Sequence, residues 1–88
     1  MSEINKLVLD VVKPINMPST ALAAAISDAA GVDVVDVFIQ NVEQKVETAK
    51  VTIEGNNILF DEIKEIIEHL GATVQSVDRV TSGKRTVG

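Results

Sequence analysis

The 88-residue chain has no cysteine, no tryptophan and no tyrosine. Without cysteine there is no disulfide framework, no thiolate nucleophile and no zinc-finger site. That absence fits a cytoplasmic protein. Two phenylalanines are the whole aromatic content, which leaves little to stack on a nucleobase. Cations are also scarce: eight Lys and Arg stand against thirteen Asp and Glu, for a net charge of −5. Nucleic acids and anionic membranes are recognised through a basic footprint, so neither is an expected partner. No apolar run approaches the ~18 residues that cross a bilayer, and Met1–Asn5 does not read as a signal peptide.

What remains is a chain whose apolar 45% is nearly all Val, Ile, Leu and Ala. A domain of this length buries only about 60–68% of the surface its unfolded form exposes, so association is a common remedy for a thin core. Residues 1–88 read as one domain, with 82–88 as a polar, frayed tail.

The stretch Lys6–Pro14 (KLVLDVVKP) organises the rest. Leu7, Leu9 and Val11 point to one side of an extended strand, and Val8, Asp10 and Val12 to the other. A strand apolar on both faces belongs in the middle of a sheet. Pro14 ends it by removing a donor and pushing Lys13 toward an extended conformation. Ser19 then offers an N-cap for a helix running to about Ala30, with Leu22, Ile26 and Ala29 on one face and Gly31 as its stop. From Val34 to Val42 the period drops to two, with Val35, Val37 and Ile39 on one side. The polar run Glu43–Glu47 lacks glycine, so a hairpin loop longer than two residues is expected. Thr48–Glu54 returns with Ala49, Val51 and Ile53 inward, and Gly55-Asn56-Asn57 breaks it. A second helix is predicted over Leu59–Leu70, striped by Leu59, Ile63, Ile66, Leu70 and Ile67. Asp61 and Glu62 sit in its first turn, where the helix dipole favours them. After Gly71, the strand Ala72–Thr81 spaces Val74, Val77 and Val80 by three, which predicts a bulge near Gln75-Ser76.

Strand, helix, strand, strand, helix, strand is the order of a split βαβ repeat. The expected fold class is α+β: a ferredoxin-like βαββαβ sandwich, its four-stranded antiparallel sheet covered by two helices on one face. The first and third strands then occupy the centre. The uncovered face would show Val8, Asp10, Val12, Asp36, Phe38, Lys50, Thr52 and Glu54. Val8, Val12 and Phe38 are apolar for a face left in water, and they are the expected oligomer contacts. Asp10 has two readings. It is a carboxylate paired with Lys50 or opposing misassembly, or it joins Asp78 and Asp36 as oxygen donors to calcium or magnesium. The spacing is not that of an EF-hand.

The fold alone does not name a function. RNA-binding versions need aromatics on the middle strands, which here hold Val8, Asp10, Lys50 and Thr52. Metal-carrying versions need a Cys pair in the first loop, and acylphosphatases an Arg there; Lys13–Ser19 has neither. Amino-acid-sensing versions place glycine at the start of the first helix, where this chain has Pro18-Ser19-Thr20. Gly83-Lys84-Arg85-Thr86 lacks the context of a phosphate loop. His69, the lone histidine, suits the dipole of a helix C-terminus, and no other side chain pattern pairs it with a nucleophile. No catalytic residue is assigned, and no cofactor is required.

Several phrases together are more specific: LDVVKP (Leu9–Pro14), GVDVVDV (Gly31–Val37), ETAKVTIEGN (Glu47–Asn56), FDEI (Phe60–Ile63) and SVDRVTSGK (Ser76–Lys84). Over nearly the whole chain these resemble a family of short archaeal proteins known as domain-of-unknown-function family two-hundred-and-eleven. The resemblance implies ferredoxin-like domains that assemble into closed homo-oligomeric rings, some associated with calcium, and no assigned activity. The loop Asn41–Val46 departs from the family's acidic Glu-Ile-Asp phrase, so no ligand site is carried over to it. The leading expectation is a non-enzymatic homo-oligomer, a ring by resemblance, binding a divalent cation or small effector. The alternative is a small-ligand-sensing regulatory module of amino-acid-sensor type, with its site near Pro14–Thr20. A carboxylate-dependent metalloenzyme ranks third.

Overall fold

The computed structural model describes residues 3–83. Its elements are β1 (Ile4–Pro14), α1 (Ser19–Ser27), β2 (Val32–Val42), β3 (Val46–Gly55), α2 (Phe60–His69) and β4 (Thr73–Ser82). The strands pair antiparallel in the order β2-β3-β1-β4, which is the ferredoxin-like α+β arrangement with β1 and β3 at the centre. Period two does the sorting. Leu7, Leu9 and Val11 of β1 and Ala49, Val51 and Ile53 of β3 are buried against Leu22 and Ile26 of α1 and Ile63 and Ile67 of α2. Val35, Val37 and Ile39 of β2 flank this core from the sheet edge.

Several boundaries differ from the sequence reading. Pro18, not Ser19, is the N-cap of α1, and no side chain caps it. The fixed φ of proline presets the extended conformation that an N-cap needs, and its carbonyl accepts from Ala21 and Leu22 at 3.1 and 3.2 Å. The helix stops at Ser27, short of Ala30. Ser27 Oγ turns back to Ala24 O at 2.8 Å, the local competition with the backbone ladder that weakens helix interiors at serine. In α2, Leu59 is the N-cap and is 45% exposed, whereas Ile58 fills the core. There Ile58 is anchored by its amide on Ile4 O at 2.8 Å. The hairpin loop shrinks to Glu43–Lys45, closed by Glu43 N to Val46 O at 2.9 Å.

The expected bulge in β4 is present and has a companion. Val8 pairs with Arg79 but Leu9 with Val77, and Asp10 pairs with Ser76 but Val11 with Val74. Asp78 and Gln75 are therefore the extra residues, and the valines spaced by three stand opposite Val11, Leu9 and Leu7; Val74 packs against the core, while Val77 and Val80 are exposed. Of the expected tail, Ser82 still belongs to β4 and Gly83 donates its amide to Glu3 O at 2.8 Å; the remainder of that expectation lies outside the described residues. Gly31, at φ +83°, turns the chain into β2 so tightly that a Cβ on Gly55 would lie 1.9 Å from Gly31 O. Only glycine fits this pair of positions.

Candidate functional site on the open sheet face

Cross-strand registers fix what the uncovered face presents. In one row, Phe38 of β2, Lys50 of β3, Asp10 of β1 and Ser76 of β4 stand side by side. In the next are Asp36, Thr52, Val8 and Arg79. The rows beyond hold Val34, Glu54, Lys6 and Thr81 at one end and Asn41, Thr48, Val12 and Thr73 at the other.

Lys50 is the hub. Its ammonium contacts Asp10 Oδ1 at 3.0 Å and forms a short ion pair with Asp78 Oδ2. Ser76 Oγ lies 2.9 Å from Asp78 Oδ1 and 3.3 Å from Asp10 Oδ2; with one hydroxyl proton, it serves the nearer carboxylate. The contact to Asp10 Oδ1 has ion-pair distance without hydrogen-bond geometry, so that oxygen is shielded from water yet lacks a donor. The bulge at Asp78 brings its carboxylate to Lys50. Their hydrogen bond, aided by Asp10, holds the ammonium above the ordinary lysine value. The same bond, aided by the Ser76 hydroxyl, holds the Asp78 carboxyl below its own.

The three residues predicted as metal ligands are thus only partly assembled. Asp10 and Asp78 converge, but on an ammonium. Asp36 stands one row away on the edge strand β2, and among the described residues no three acidic or histidine side chains converge as a metal-holding group. The expected oligomer contacts divide as well. Phe38 is 61% exposed, whereas Val8 and Val12 are half-buried among their neighbours on the central strand. The alternation of β2 puts Val34 on the same side as Asp36 and Phe38, and it is 57% exposed though not among the expected contacts; Arg79 was not foreseen on this face.

A second polar cluster was missed altogether. Lys13 follows Leu7, Leu9 and Val11 at period two and is buried on the helix side. There its ammonium pairs with Glu47, its cross-strand neighbour, and donates to Met17 O at 2.7 Å. The signal was available in the alternation itself. Elsewhere, α1 and α2 leave a shallow groove of about 540 Å³ lined by Ala25, Ala29, Ile66 and Leu70, with Asp28, Glu65 and His69 at its rim. No helix among the described residues is long and apolar enough to cross a membrane.

Topology and open face together define a ferredoxin-like α+β domain with a mixed apolar and charged sheet surface. The chain belongs to the DUF211 family, described as Uncharacterized ArCR, whose profile matches residues 5–88. It is also 41% identical over 87 residues to the uncharacterized protein MJ0319 of Methanocaldococcus jannaschii, an alignment covering 99% of this chain and 90% of the relative. Both are described as uncharacterized, so the likeness supplies a family but no reaction.

Proposed function

We propose that this chain is a self-assembling domain without catalytic activity, a homo-oligomer built through the open face and edges of its sheet. The observation that carries this reading is Phe38, 61% exposed, with Val34 at 57% on the far side of Asp36, both on the uncovered face of β2. Large apolar side chains left in water favour burial against a partner, and these two lie on an edge strand, where further strands add readily. Contacts repeated around a closing rotation give a ring, and self-complementary ones give a dimer. Sedimentation equilibrium at micromolar concentration tests the reading. We expect a mass that is a multiple of the chain mass, moved toward the monomer by Phe38→Ser; a monomer in the parent protein would refute self-assembly.

Calcium or magnesium enters this reading only by displacing the Lys50 ammonium from Asp10 and Asp78. A melting temperature that rises with millimolar calcium would support that exchange. The sensor alternative is less well supported, because the carbonyl of Met17 in the Pro14–Thr20 loop is already taken by Lys13. For a small effector, the groove between the helices has a volume in the range of ligand sites.

A further inference from the structure

We propose that the groove between α1 and α2 binds a small primary amine with an apolar tail and no carboxylate. This goes beyond the self-assembly reading: it names the chemistry of an effector and holds for a monomer as for an oligomer. Ala25 and Ala29, one turn apart at the end of α1, face Ile66 and Leu70, one turn apart at the end of α2. The alanines are too small to close the gap between the helices, so about 540 Å³ remains, within the range of ligand sites. The rim is negative. Asp28 is the C-cap of α1, and Glu65 stands across from it on α2. A helix C-terminus carries negative partial charge and is stabilised by a cation. The last turn of α2 has a basic residue, His69, whereas that of α1 has none and ends on an aspartate. Neither Asp28 nor Glu65 forms an ion pair among the described residues. An apolar floor thus lies beside carboxylates and a helix end that an ammonium would offset.

Chemistry narrows the occupant. Quaternary ammonium groups are held by aromatic faces, and no phenyl or indole ring lines the groove. A primary ammonium instead offers three N–H donors to carboxylate oxygens. An amino acid would bring its own carboxylate to the same negative rim, so the amine is one without it. A bare metal ion finds too few ligands, since among the described residues no three acidic or histidine side chains converge. A partner helix is too long an anchor. Ala25 to Ala29 spans about 6 Å at 1.5 Å per residue, whereas a docked helix grips through an i to i+7 run of about 10 Å.

Titration of the isotopically labelled protein with hexylamine and phenethylamine, followed by amide NMR shifts and with hexanoate as control, tests the proposal. Sedimentation of the same samples reads the mass separately, and far-UV circular dichroism checks folding of each variant. We expect saturable shifts at Ala25, Ala29, Ile66 and Leu70 with both amines, a dissociation constant on the order of millimolar for so small and open a contact, and no shifts with hexanoate. Asp28→Asn and Glu65→Gln each weaken binding about two- to fivefold, the range of exposed ion pairs. Asp28→Lys supplies the cation from the chain itself, so it abolishes amine binding and raises the melting temperature of the free protein. Ala25→Leu fills the floor and abolishes binding with helix content unchanged. Hexanoate binding as tightly as hexylamine would overturn the proposal, as would shifts that survive both Asp28→Lys and Ala25→Leu, or none at tens of millimolar amine. A mass lowered by Ala25→Leu in a protein that binds no amine would assign the groove to a second copy, overturning the proposal and leaving self-assembly standing. A monomer that binds amine would do the reverse.

Discussion

Two lysines on opposite faces of one sheet make the same kind of contact and have unlike energetics. Lys13 is 1% exposed on the helix side, with Glu47 at 18%; Lys50 lies on the open side at 27%, with Asp10 at 27% and Asp78 at 33%. Coulombic attraction is similar in form for both, but water screens the second pair and hardly reaches the first. The buried ammonium has given up its hydration and depends on Glu47 and the carbonyl of Met17. The open-face ammonium can exchange carboxylates for water, or for another subunit's carboxylates, at small cost. One lysine therefore fastens the β1–α1 loop to the hairpin end of the sheet, and the other stays within reach of water on the open face.

The largest expected effect comes from separating the buried pair. Glu47→Ala leaves an unpaired buried ammonium, which costs about 3–5 kcal/mol, read as the loss of unfolding free energy in urea. The double variant Lys13→Met/Glu47→Met should recover more than half of that loss, since an apolar replacement for a buried ion pair is often neutral. If Glu47→Ala costs no more than a typical surface substitution, the contrast between the two lysines is broken.

A smaller effect separates neighbouring residues of β1. Leu9 is fully buried under the helices, so Leu9→Ala should cost about 2–5 kcal/mol through lost transfer energy and the cavity it leaves. Val12, half-buried on the open face, should lose no more than about 1 kcal/mol of monomer stability on substitution by Ala, since most of its surroundings are already solvent or flexible side chains. If the proposed self-assembly covers this face, the order narrows at high concentration, because Val12 then gains a covering subunit. Urea unfolding at submicromolar and at high micromolar concentration separates these cases; equal losses at Leu9 and Val12 in the dilute sample would contradict the assignment of the open face.

How much of this was legible beforehand depends on which physical signal a residue obeys. Alternation in Lys6–Pro14, Val34–Val42 and Thr48–Glu54 placed the covered face correctly, because burial on one side of a pleat is a local property. The spacing of valines in β4 disclosed the bulge at Gln75. The second bulge, at Asp78, left its mark in the same way, in the step of three from Val77 to Val80, but which residue of that step is extra depends on how Arg79 and Val77 settle opposite Val8 and Leu9. It is also what brings Asp78 to Lys50. Lys13 was legible by period but was overridden by the habit of placing lysine in water. Leu59 fitted a helical stripe, yet it is the N-cap, and Ile58, held by its amide on Ile4 O, fills the core instead. Asp36 could be assigned to the open face from sequence. Its separation from Asp10 and Asp78, however, required the strand order and register that only the folded sheet supplies.

The smallest expected effect is the pH dependence of the open-face cluster. Lys50 and Ser76 hold the Asp78 carboxyl below its ordinary value of 3.8. A carboxylate of lowered pKa adds stability that is present above the unfolded value and lost as pH falls through the folded one. Lys50 is held above 10.5 by Asp78 first and Asp10 second, so its share is fully present below 10.5 and lost as pH rises through the raised value. Stability from this cluster should therefore be flat across neutral pH, with a shallow acid limb below about pH 4 and an alkaline limb at the far end. Asp78→Asn should flatten the acid limb, and Lys50→Met should flatten both, without moving the neutral melting temperature by more than a few degrees, as expected for solvent-screened pairs. With no Trp or Tyr in the chain, far-UV circular dichroism is the suitable readout. An acid limb as steep in Asp78→Asn as in the parent would assign the acid sensitivity to other carboxylates and remove the cluster from the stability of the subunit, leaving Lys50 and Asp10 available for contacts between subunits.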